Sequence, residues 1–221
     1  MKFYISDDLK DDLEQAKKNP NAQYVWKWCD AYAVDEKMGD CERCPICGRA
    51  VSMLKWLEPR KIRLTNSKYP DRLTAWLPQS IVVSERVVQA YEQEGLRGVK
   101  NFTPVEVVKV SRMGKNSPPP PRYFSVNVDF TLDVRRDEAN TIIIGDKHDW
   151  SCELCHPKGT TCSQLLRLSL HTENWQGEDI FKVYAVGVIY SQRFYDVIKE
   201  RGFTNFNLIP VEEYRIGCET F

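Results

Sequence analysis

Two pairs of cysteines in the chain have the spacing of metal ligands. Cys44 and Cys47 form a Cys-x-x-Cys turn that is followed by Gly48, and Cys152 and Cys155 form a second such turn far along the sequence. Two thiolates on one tight turn can bind the same ion, and a glycine after the second cysteine permits the positive φ that closes the turn. Each pair therefore supplies half of a four-ligand site.

The sequence predicts one Zn2+ ion per chain, held by Cys44, Cys47, Cys152 and Cys155. Four thiolates complete a tetrahedral shell and leave no position for water or substrate, so this zinc would be structural and not catalytic. Two alternatives stay open at this point. The cysteines could remain two separate reduced pairs, or Cys41 could join Cys44 and Cys47 in an iron–sulfur cluster.

Three further residues are candidates to replace one of the four predicted ligands. They are Cys41, His156 and Cys162, and His156 stands where the second turn would be expected to carry a glycine. Cys29 and Cys218 are predicted to be buried thiols, because free cysteine behaves as a small apolar side chain.

The composition predicts a folded protein with a substantial core. The chain has 221 residues, of which 42% are hydrophobic, and its 31 basic side chains balance 31 acidic ones. This neutral balance does not favour a nucleic-acid binder or a membrane-surface protein. We find no apolar run typical of a signal peptide or a membrane span, so we expect a cytoplasmic protein. In that reducing compartment the eight cysteines should be ligands or buried thiols and not disulfides.

The short motifs that mark common enzyme active sites are absent, so the sequence does not predict an enzyme. His148 beside Asp149, and His171 near Glu173, are the candidate acid/base pairs, and closeness in sequence alone is weak support for either.

A turn rich in acidic side chains follows His171. Its members are Glu173, Trp175, Glu178 and Asp179. The turn is either an ordinary solvated loop over a packed aromatic ring, which is the favoured interpretation, or an exposed acidic and aromatic patch for a basic partner.

Hydrophobic periodicity predicts an α+β fold. Helical spacing indicates helices from Ser6 to Lys18, from Ser84 to Gly95 and from Ser191 to Gly202. Alternating or β-branched runs predict strands at residues 2–5, 51–57, 61–64, 102–110, 124–134, 141–144, 165–170, 180–188 and 206–211.

The two halves of the chain share an order of features, which predicts an internal repeat. In each half a cysteine turn is followed by strands, a helix that opens with Ser-x-Arg, a glycine that ends it, and a Pro-Val-Glu sequence. We therefore predict a single domain of two β-rich pseudo-repeat units, residues 1–115 and 122–221, joined by a proline-rich linker at 116–121. A pseudo-twofold arrangement would bring the two cysteine turns face to face around the shared zinc.

Several of these features together resemble the double-CXXCG motif family of myxobacteria. The resemblance is carried by Cys44-Pro45-Ile46-Cys47-Gly48, Val83-Ser84-Glu85-Arg86, Gly95-Leu96, Pro104-Val105-Glu106-Val107, Trp175-Gln176-Gly177-Glu178-Asp179-Ile180-Phe181, Gly202-Phe203-Thr204-Asn205 and Pro210-Val211-Glu212-Glu213-Tyr214. It covers most of the chain, from the first cysteine turn to Tyr214.

The resemblance implies a function in binding another protein. Members of that family include Sit-type immunity proteins, which lie in the cytoplasm and neutralise a cognate toxin delivered by a sibling cell. By this resemblance the chain would bind the C-terminal domain of its cognate toxin stoichiometrically and without catalysis. A zinc-ribbon-like nucleic-acid-binding or regulatory module is the second hypothesis, although the neutral charge makes nucleic acid an unlikely partner. An enzyme with an unrecognised site is the third.

Overall fold

The computed structural model describes residues 1–7, 30–73, 75–76, 81–111, 113–114, 116–128, 130–131, 133–137, 139–144, 151–155, 164–184 and 186–215. All but the first two residues of the helix predicted from Ser6 to Lys18 lie outside these ranges. The described ranges also exclude His148, the alternative ligands His156 and Cys162, and the predicted buried thiols Cys29 and Cys218.

The described residues form the α+β fold predicted from periodicity. The strands are β1 (Phe3–Ser6), β2 (Ala31–Val34), β3 (Met38–Arg43), β4 (Ala50–Trp56), β5 (Lys61–Leu64), β6 (Arg72–Leu73), β7 (Ala75–Trp76), β8 (Ile81–Ser84), β9 (Val99–Val110), β10 (Tyr123–Val128), β11 (Arg135–Arg136), β12 (Ile142–Ile144), β13 (Gln164–Arg167), β14 (Leu170–His171), β15 (Ile180–Val183), β16 (Gly187–Ser191) and β17 (Leu208–Pro210). The two α-helices among these residues are α1 (Glu85–Gln93) and α2 (Gln192–Glu200), and a 3-10 turn follows at Val211–Glu213.

Two main sheets contain most of the strands. The larger has the order β6-β8-β10-β9-β5-β2-β7, and the smaller has the order β15-β16-β1-β17. Three two-stranded ribbons, β3 with β4, β11 with β14 and β12 with β13, complete the described strand pairing. Four neighbouring strands of the large sheet match the small sheet position by position. The matching strands are β6-β8-β10-β9 in the large sheet and β15-β16-β1-β17 in the small one. In each set the second strand precedes a helix, the fourth strand follows that helix, and the third strand comes from elsewhere in the chain.

The strand inserted between the other two comes from the opposite half of the sequence in both sheets. Strand β1, near the N-terminus, pairs antiparallel with β16 and β17, with Tyr4 opposite both Tyr190 and Pro210. Strand β10 lies beyond the proline-rich segment and pairs antiparallel with β8 and β9, with Phe124 opposite Val83 and Pro104. The two halves of the chain are therefore interlocked through their sheets.

The two helices follow directly from the strands that precede them. Ser84 and Ser191 occupy the N-cap positions in extended conformation, and Ser191 accepts a hydrogen bond from the backbone N–H of Phe194. Each helix ends two residues before a glycine with φ of 60°, at Gly95 and Gly202. These glycines were predicted from the sequence as helix ends, because that left-handed conformation is easily adopted only without a side chain.

The apolar faces of both helices pack into one core. Val87 and Tyr91 of α1 and Phe194 and Ile198 of α2 belong to the same cluster of buried side chains, which also includes Val126 of β10. A separate cluster lies beneath β1 and β15, and another fills the face of the large sheet. Because one cluster draws on both halves, neither half buries its helix independently.

Four strand predictions differ from the structure in their extent. The strand predicted over 124–134 ends at Val128, and the strand predicted over 180–188 is a hairpin, β15 and β16. Residues 165–170 contribute to two short strands, and the last strand ends at Pro210, where the 3-10 turn begins. Among the residues that the structure describes, no helix has the length and apolar character needed to cross a membrane.

Candidate metal centre

The first cysteine turn lies at the end of the ribbon formed by β3 and β4. The backbone N–H of Cys44 donates to the carbonyl of Arg49 at 2.8 Å, and the N–H of Gly48 donates to the carbonyl of Cys44 at 2.8 Å. Gly48 has φ of 72°. A residue with a Cβ would be strained in this conformation, so the glycine is required by the turn that aims both cysteines to one side.

The second cysteine turn has a similar setting. It occupies residues 151–155, between β12 and β13, which pair antiparallel. Each cysteine turn therefore lies between two strands that pair with each other.

The four cysteines predicted as ligands lie together. The Sγ atoms of Cys44 and Cys152 are 3.7 Å apart, and those of Cys47 and Cys155 are 3.6 Å apart. All four sulfur atoms lie within 4.8 Å of one another. Cys44, Cys152 and Cys155 are buried and Cys47 is exposed, so the cluster opens towards solvent on one side.

These distances fit a four-coordinate ion. A tetrahedron with metal–sulfur bonds of about 2.3 Å has sulfur–sulfur edges of about 3.8 Å. Both measured pairs are already close to that value, and only small side-chain rotations would bring the remaining pairs to it. The cluster can hold one metal ion, and its four sulfurs would close the coordination shell.

The protonation of the cluster also favours a cation. Backbone N–H groups of Cys155 and Leu154 facing the Cys152 sulfur lower the pKa of that thiol to about 6. Burial raises the pKa of the Cys155 thiol, and the neighbouring sulfurs raise it further. Several thiolates therefore cannot be buried side by side without a compensating charge, which a divalent ion would supply.

An aromatic side chain next to the cluster is affected by the same charge. Burial raises the pKa of the Tyr184 phenol, and the nearby sulfur of Cys44 raises it further. The ring of Tyr184 stacks on Phe130 with 4.3 Å between the ring centroids.

Among the candidate replacement ligands, the structure describes only Cys41. Cys41 is half-buried in β3 and is not a member of the four-sulfur group. The iron–sulfur arrangement of Cys41, Cys44 and Cys47 is therefore not the grouping seen here. None of the five described cysteines forms a disulfide.

A second set of polar contacts joins the helices across the two halves. Ser84 Oγ donates to Asp71 Oδ1 at 2.7 Å, and Arg86 Nη1 lies 3.1 Å from Asp71 Oδ2. The backbone N–H and the hydroxyl of Thr204 donate to the same Oδ2 at 3.1 and 3.2 Å. Asp71 is buried, and it connects the start of α1 to the segment that follows α2.

The opposite half repeats this arrangement. Ser191 Oγ donates to Asp179 Oδ1 at 2.7 Å, Arg193 Nη1 lies 3.3 Å from Asp179 Oδ2, and the backbone N–H of Arg97 donates to that Oδ2 at 2.9 Å. Asp179 is also buried. It therefore connects the start of α2 to the segment that follows α1.

Each arginine of these contacts also caps the other helix. Arg86 Nη2 donates to the carbonyl of Arg201 at 3.4 Å, while Arg193 donates to the carbonyls of Glu94 and Gly95. Helix C-termini carry unpaired carbonyls and partial negative charge, so a guanidinium is a suitable cap.

Sequence reasoning identified the serines and arginines but missed the role of the aspartates. Asp179 was placed in the acidic turn, and Asp71 was not singled out. A signal was present, because an aspartate precedes the Ser-x-Arg sequence at nearly the same distance in both halves.

The acidic turn has the packing expected of a structural loop. Trp175 is half-buried, its indole N–H donates to the carbonyl of Glu178 at 3.1 Å, and its ring meets Phe3 edge to face at 5.4 Å. Asp179 is buried in the contacts described above, so an exposed acidic and aromatic patch is not formed by these residues.

His171 lies between two carboxylates. Its Nδ1 is 3.5 Å from Glu173 Oε1 and its Nε2 is 3.5 Å from Asp137 Oδ1. Asp137 accepts from the backbone N–H groups of Ala139 and Asn140 and from the Asn140 side chain at 3.0, 3.2 and 2.6 Å. Asp137 therefore orders its own loop, and it also contacts His171 and accepts from the Ser169 hydroxyl at 3.4 Å.

Comparison with protein family models gives no match, and comparison with curated proteins gives no significant match.

Proposed function

We propose that the cysteine cluster binds one structural Zn2+ per chain through Cys44, Cys47, Cys152 and Cys155. Support comes from the ligand type, the turn geometry and the sulfur–sulfur distances of 3.7 and 3.6 Å. The zinc would join segments that lie 108 residues apart in sequence.

Metal analysis of the purified protein tests this site directly. We expect about one equivalent of zinc and a colourless protein, because zinc has a filled d shell. Visible absorption with bound iron, or two zinc ions per chain, would contradict the proposal.

We also propose that the chain is a duplication of units 1–115 and 122–221 that have exchanged their first strands. The matching strand orders, the paired aspartate contacts and the equal spacing within both cysteine pairs support it. The segment between the units lies against the first one, since Tyr69 donates its hydroxyl to the carbonyl of Pro118 at 3.0 Å. This contact supports the prediction that the proline-rich segment is a linker between the units.

We infer that the protein is a cytoplasmic immunity protein that binds the C-terminal domain of a cognate toxin and blocks that domain's active site or substrate groove. The observation that carries the proposal is the four-cysteine cluster. A closed ligand set would give the metal no catalytic position, which supports a function carried by the protein surface. The sequence resemblance identifies the kind of partner.

The residues that carry the resemblance also have a shared structural use. Arg86, Arg193 and Asp179 contact the other half of the chain. Ser84 and Ser191 each donate to a buried aspartate that also makes such a contact. The residues shared by such a family would then maintain its fold. Other residues on the surface would determine which partner each member binds.

Co-expression tests the proposed function. The toxin domain encoded beside this chain's gene, expressed alone, should stop growth, and co-expression of the chain should restore it. Purification should then yield a complex with one copy of each protein. A control strain expressing an unrelated protein at the same level excludes rescue by competition for expression.

The rival functions give different results. Absence of both rescue and a complex with a toxic neighbour would contradict the immunity proposal. A gel shift that weakens with salt would favour the nucleic-acid-binding module, because phosphate contacts release counterions. Turnover of a substrate would favour an enzyme.

A further inference from the structure

The four sulfurs of the metal centre are not equally accessible. Cys47 is exposed, whereas Cys44, Cys152 and Cys155 are buried. Small oxidants react with sulfurs that they can reach, so exposure favours Cys47 over the three buried sulfurs.

The neighbour of the exposed sulfur belongs to the other half of the chain. Cys155 Sγ lies 3.6 Å from Cys47 Sγ, which is close to van der Waals contact. Formation of a disulfide needs this separation to shorten to about 2.05 Å. Cys47 is exposed, which leaves its side chain room to rotate towards Cys155.

We propose that Cys47 is a peroxide-sensitive site and that its oxidation joins it to Cys155 in a disulfide between the two halves. The Cys47 thiolate attacks one oxygen of hydrogen peroxide, forming a sulfenic acid and releasing hydroxide. The Cys155 sulfur, as a metal-bound thiolate or after giving its proton to the hydroxide already released, then attacks the Cys47 sulfur, the S–S bond forms and a second hydroxide leaves. Two thiolates lose two electrons, and the peroxide O–O bond gains them.

The Cys47–Cys155 disulfide affects the protein differently from a disulfide within one cysteine turn. Two thiolates are removed from the metal shell, so the ion keeps only Cys44 and Cys152 and is released. The new covalent bond nevertheless keeps the cysteine turns connected. A bond between Cys44 and Cys47 would release the metal and leave the turns unconnected.

The experiment uses the full-length, zinc-loaded protein with a small molar excess of hydrogen peroxide. Dimedone traps sulfenic acids at early times, and alkylation followed by non-reducing proteolysis and fragment mass spectrometry locates disulfides. A chromophoric chelator follows zinc. We expect early dimedone labelling at Cys47, a Cys47–Cys155 disulfide as the main product, and zinc release that dithiothreitol with added zinc reverses.

Two variants sharpen the test. Cys41→Ser removes a half-buried thiol of the same ribbon and should leave the oxidation rate unchanged, whereas Cys47→Ser should slow it by about tenfold or more. If Cys47→Ser fails to fold, dimedone labelling of the wild-type chain still decides. First labelling at Cys41, or a main disulfide within one cysteine turn, would overturn the proposal.

The zinc-release measurement depends on the proposed zinc site, but the disulfide mapping does not. A protein without zinc that still forms the Cys47–Cys155 bond would contradict the metal proposal and support this one. A protein that binds zinc, and whose thiols resist peroxide as long as the zinc remains bound, would support the metal proposal and contradict this one.

Discussion

The burial of the cysteines determines what each contributes to the centre. Cys155 has a relative exposure of 1% and Cys44 of 2%, so their sulfurs have almost no access to water. A buried thiolate without a counter-charge is costly, and a metal ion removes that cost. A bound metal ion would therefore be tied to the stability of this region through the buried sulfurs, and Cys47 is the exposed sulfur of the cluster.

Cys155→Ser tests this dependence. One lost ligand opens the closed shell, so we expect less than one equivalent of zinc and a free energy of unfolding lower by several kcal/mol. Metal analysis and chemical denaturation measure the two effects. Cys41→Ser is the matched control and should keep one zinc and lie within about 1 kcal/mol of wild type. Equal effects of the two substitutions would remove Cys155 from the ligand set.

Asp137 gives a prediction about pH. The Asn140 side-chain amide is the largest factor that lowers the pKa of Asp137, and the backbone N–H of Asn140 and nearby His171 add to it. A lowered pKa means that the unfolded chain binds the proton more readily, so the carboxylate stabilises the fold above about pH 4 and this contribution disappears as pH falls further.

The comparison of Asp137→Asn with wild type isolates that contribution. The variant should be less stable at pH 7, and its difference in unfolding free energy from wild type should shrink below about pH 4. Urea denaturation across the pH range measures it. Asp133→Asn, at an exposed carboxylate nearby, is the control. Any zinc loss at low pH would affect all three proteins alike. A difference in unfolding free energy between Asp137→Asn and wild type that stays constant with pH would refute the stabilising role of the Asp137 carboxylate.

At the scale of elements, the two helices are alike in position but not in their caps. Both N-cap serines donate to a buried aspartate at 2.7 Å. Only Ser191 also accepts from a backbone N–H, that of Phe194, at 3.1 Å; the Ser84 side chain makes no such cap.

Ser191→Ala should therefore destabilise the protein more than Ser84→Ala. Both lose a hydrogen bond to an aspartate, and the loss of the additional cap should make the difference about 1 kcal/mol. Denaturant unfolding of the two variants measures this difference under identical conditions. Equal losses would mean that the cap at α2 adds nothing to the aspartate contact.

The success of sequence prediction at this scale depended on how local the signal was. Cys-x-x-Cys turns, and Gly95 and Gly202 as helix ends, follow from local chemistry and were found. The hairpin of β15 and β16 was missed because Tyr184, Val186 and the residues around them are mostly apolar and contain no strong turn residue before Gly187.

One strand was predicted too long for a different physical reason. Val134 continues the alternation that begins at Phe124, and it is buried at 1% exposure, but in the cluster beneath β1 and β15 and not in the ladder of β10. Periodicity reports burial, which continued after the hydrogen bonding had ended. The Asp71 contacts were missed because their partner Thr204 is distant in sequence and nothing local indicates the pairing.

At the scale of the whole molecule, several kinds of contact link the halves. Strands β1 and β10 each complete the other half's sheet, Asp71 and Asp179 each hold the segment after the other half's helix, and the cysteine turns share one cluster. The two units of the proposed duplication should then unfold as one cooperative body, because each needs the other to bury its core.

Cleavage of the connector tests this interdependence. A protease site inserted between Pro118 and Pro119, both exposed, allows the folded chain to be cut between the units. We expect the fragments to co-elute in size-exclusion chromatography with an unchanged circular dichroism spectrum. The midpoint of thermal unfolding should fall and become dependent on protein concentration, because unfolding now separates two chains.

The uncut insertion variant is the control, since it carries the same inserted residues and loses the same contact between Tyr69 and Pro118. Removal of metal by a chelator should lower the unfolding midpoint further in the cut protein than in the uncut one. Only the cut protein relies on noncovalent links to keep the halves at high effective concentration. Fragments that separate spontaneously and each keep a native spectrum would show two independent domains. That result would be incompatible with exchanged strands, because a half that has lost the strand inserted in its sheet exposes the backbone groups and apolar side chains that the strand covers.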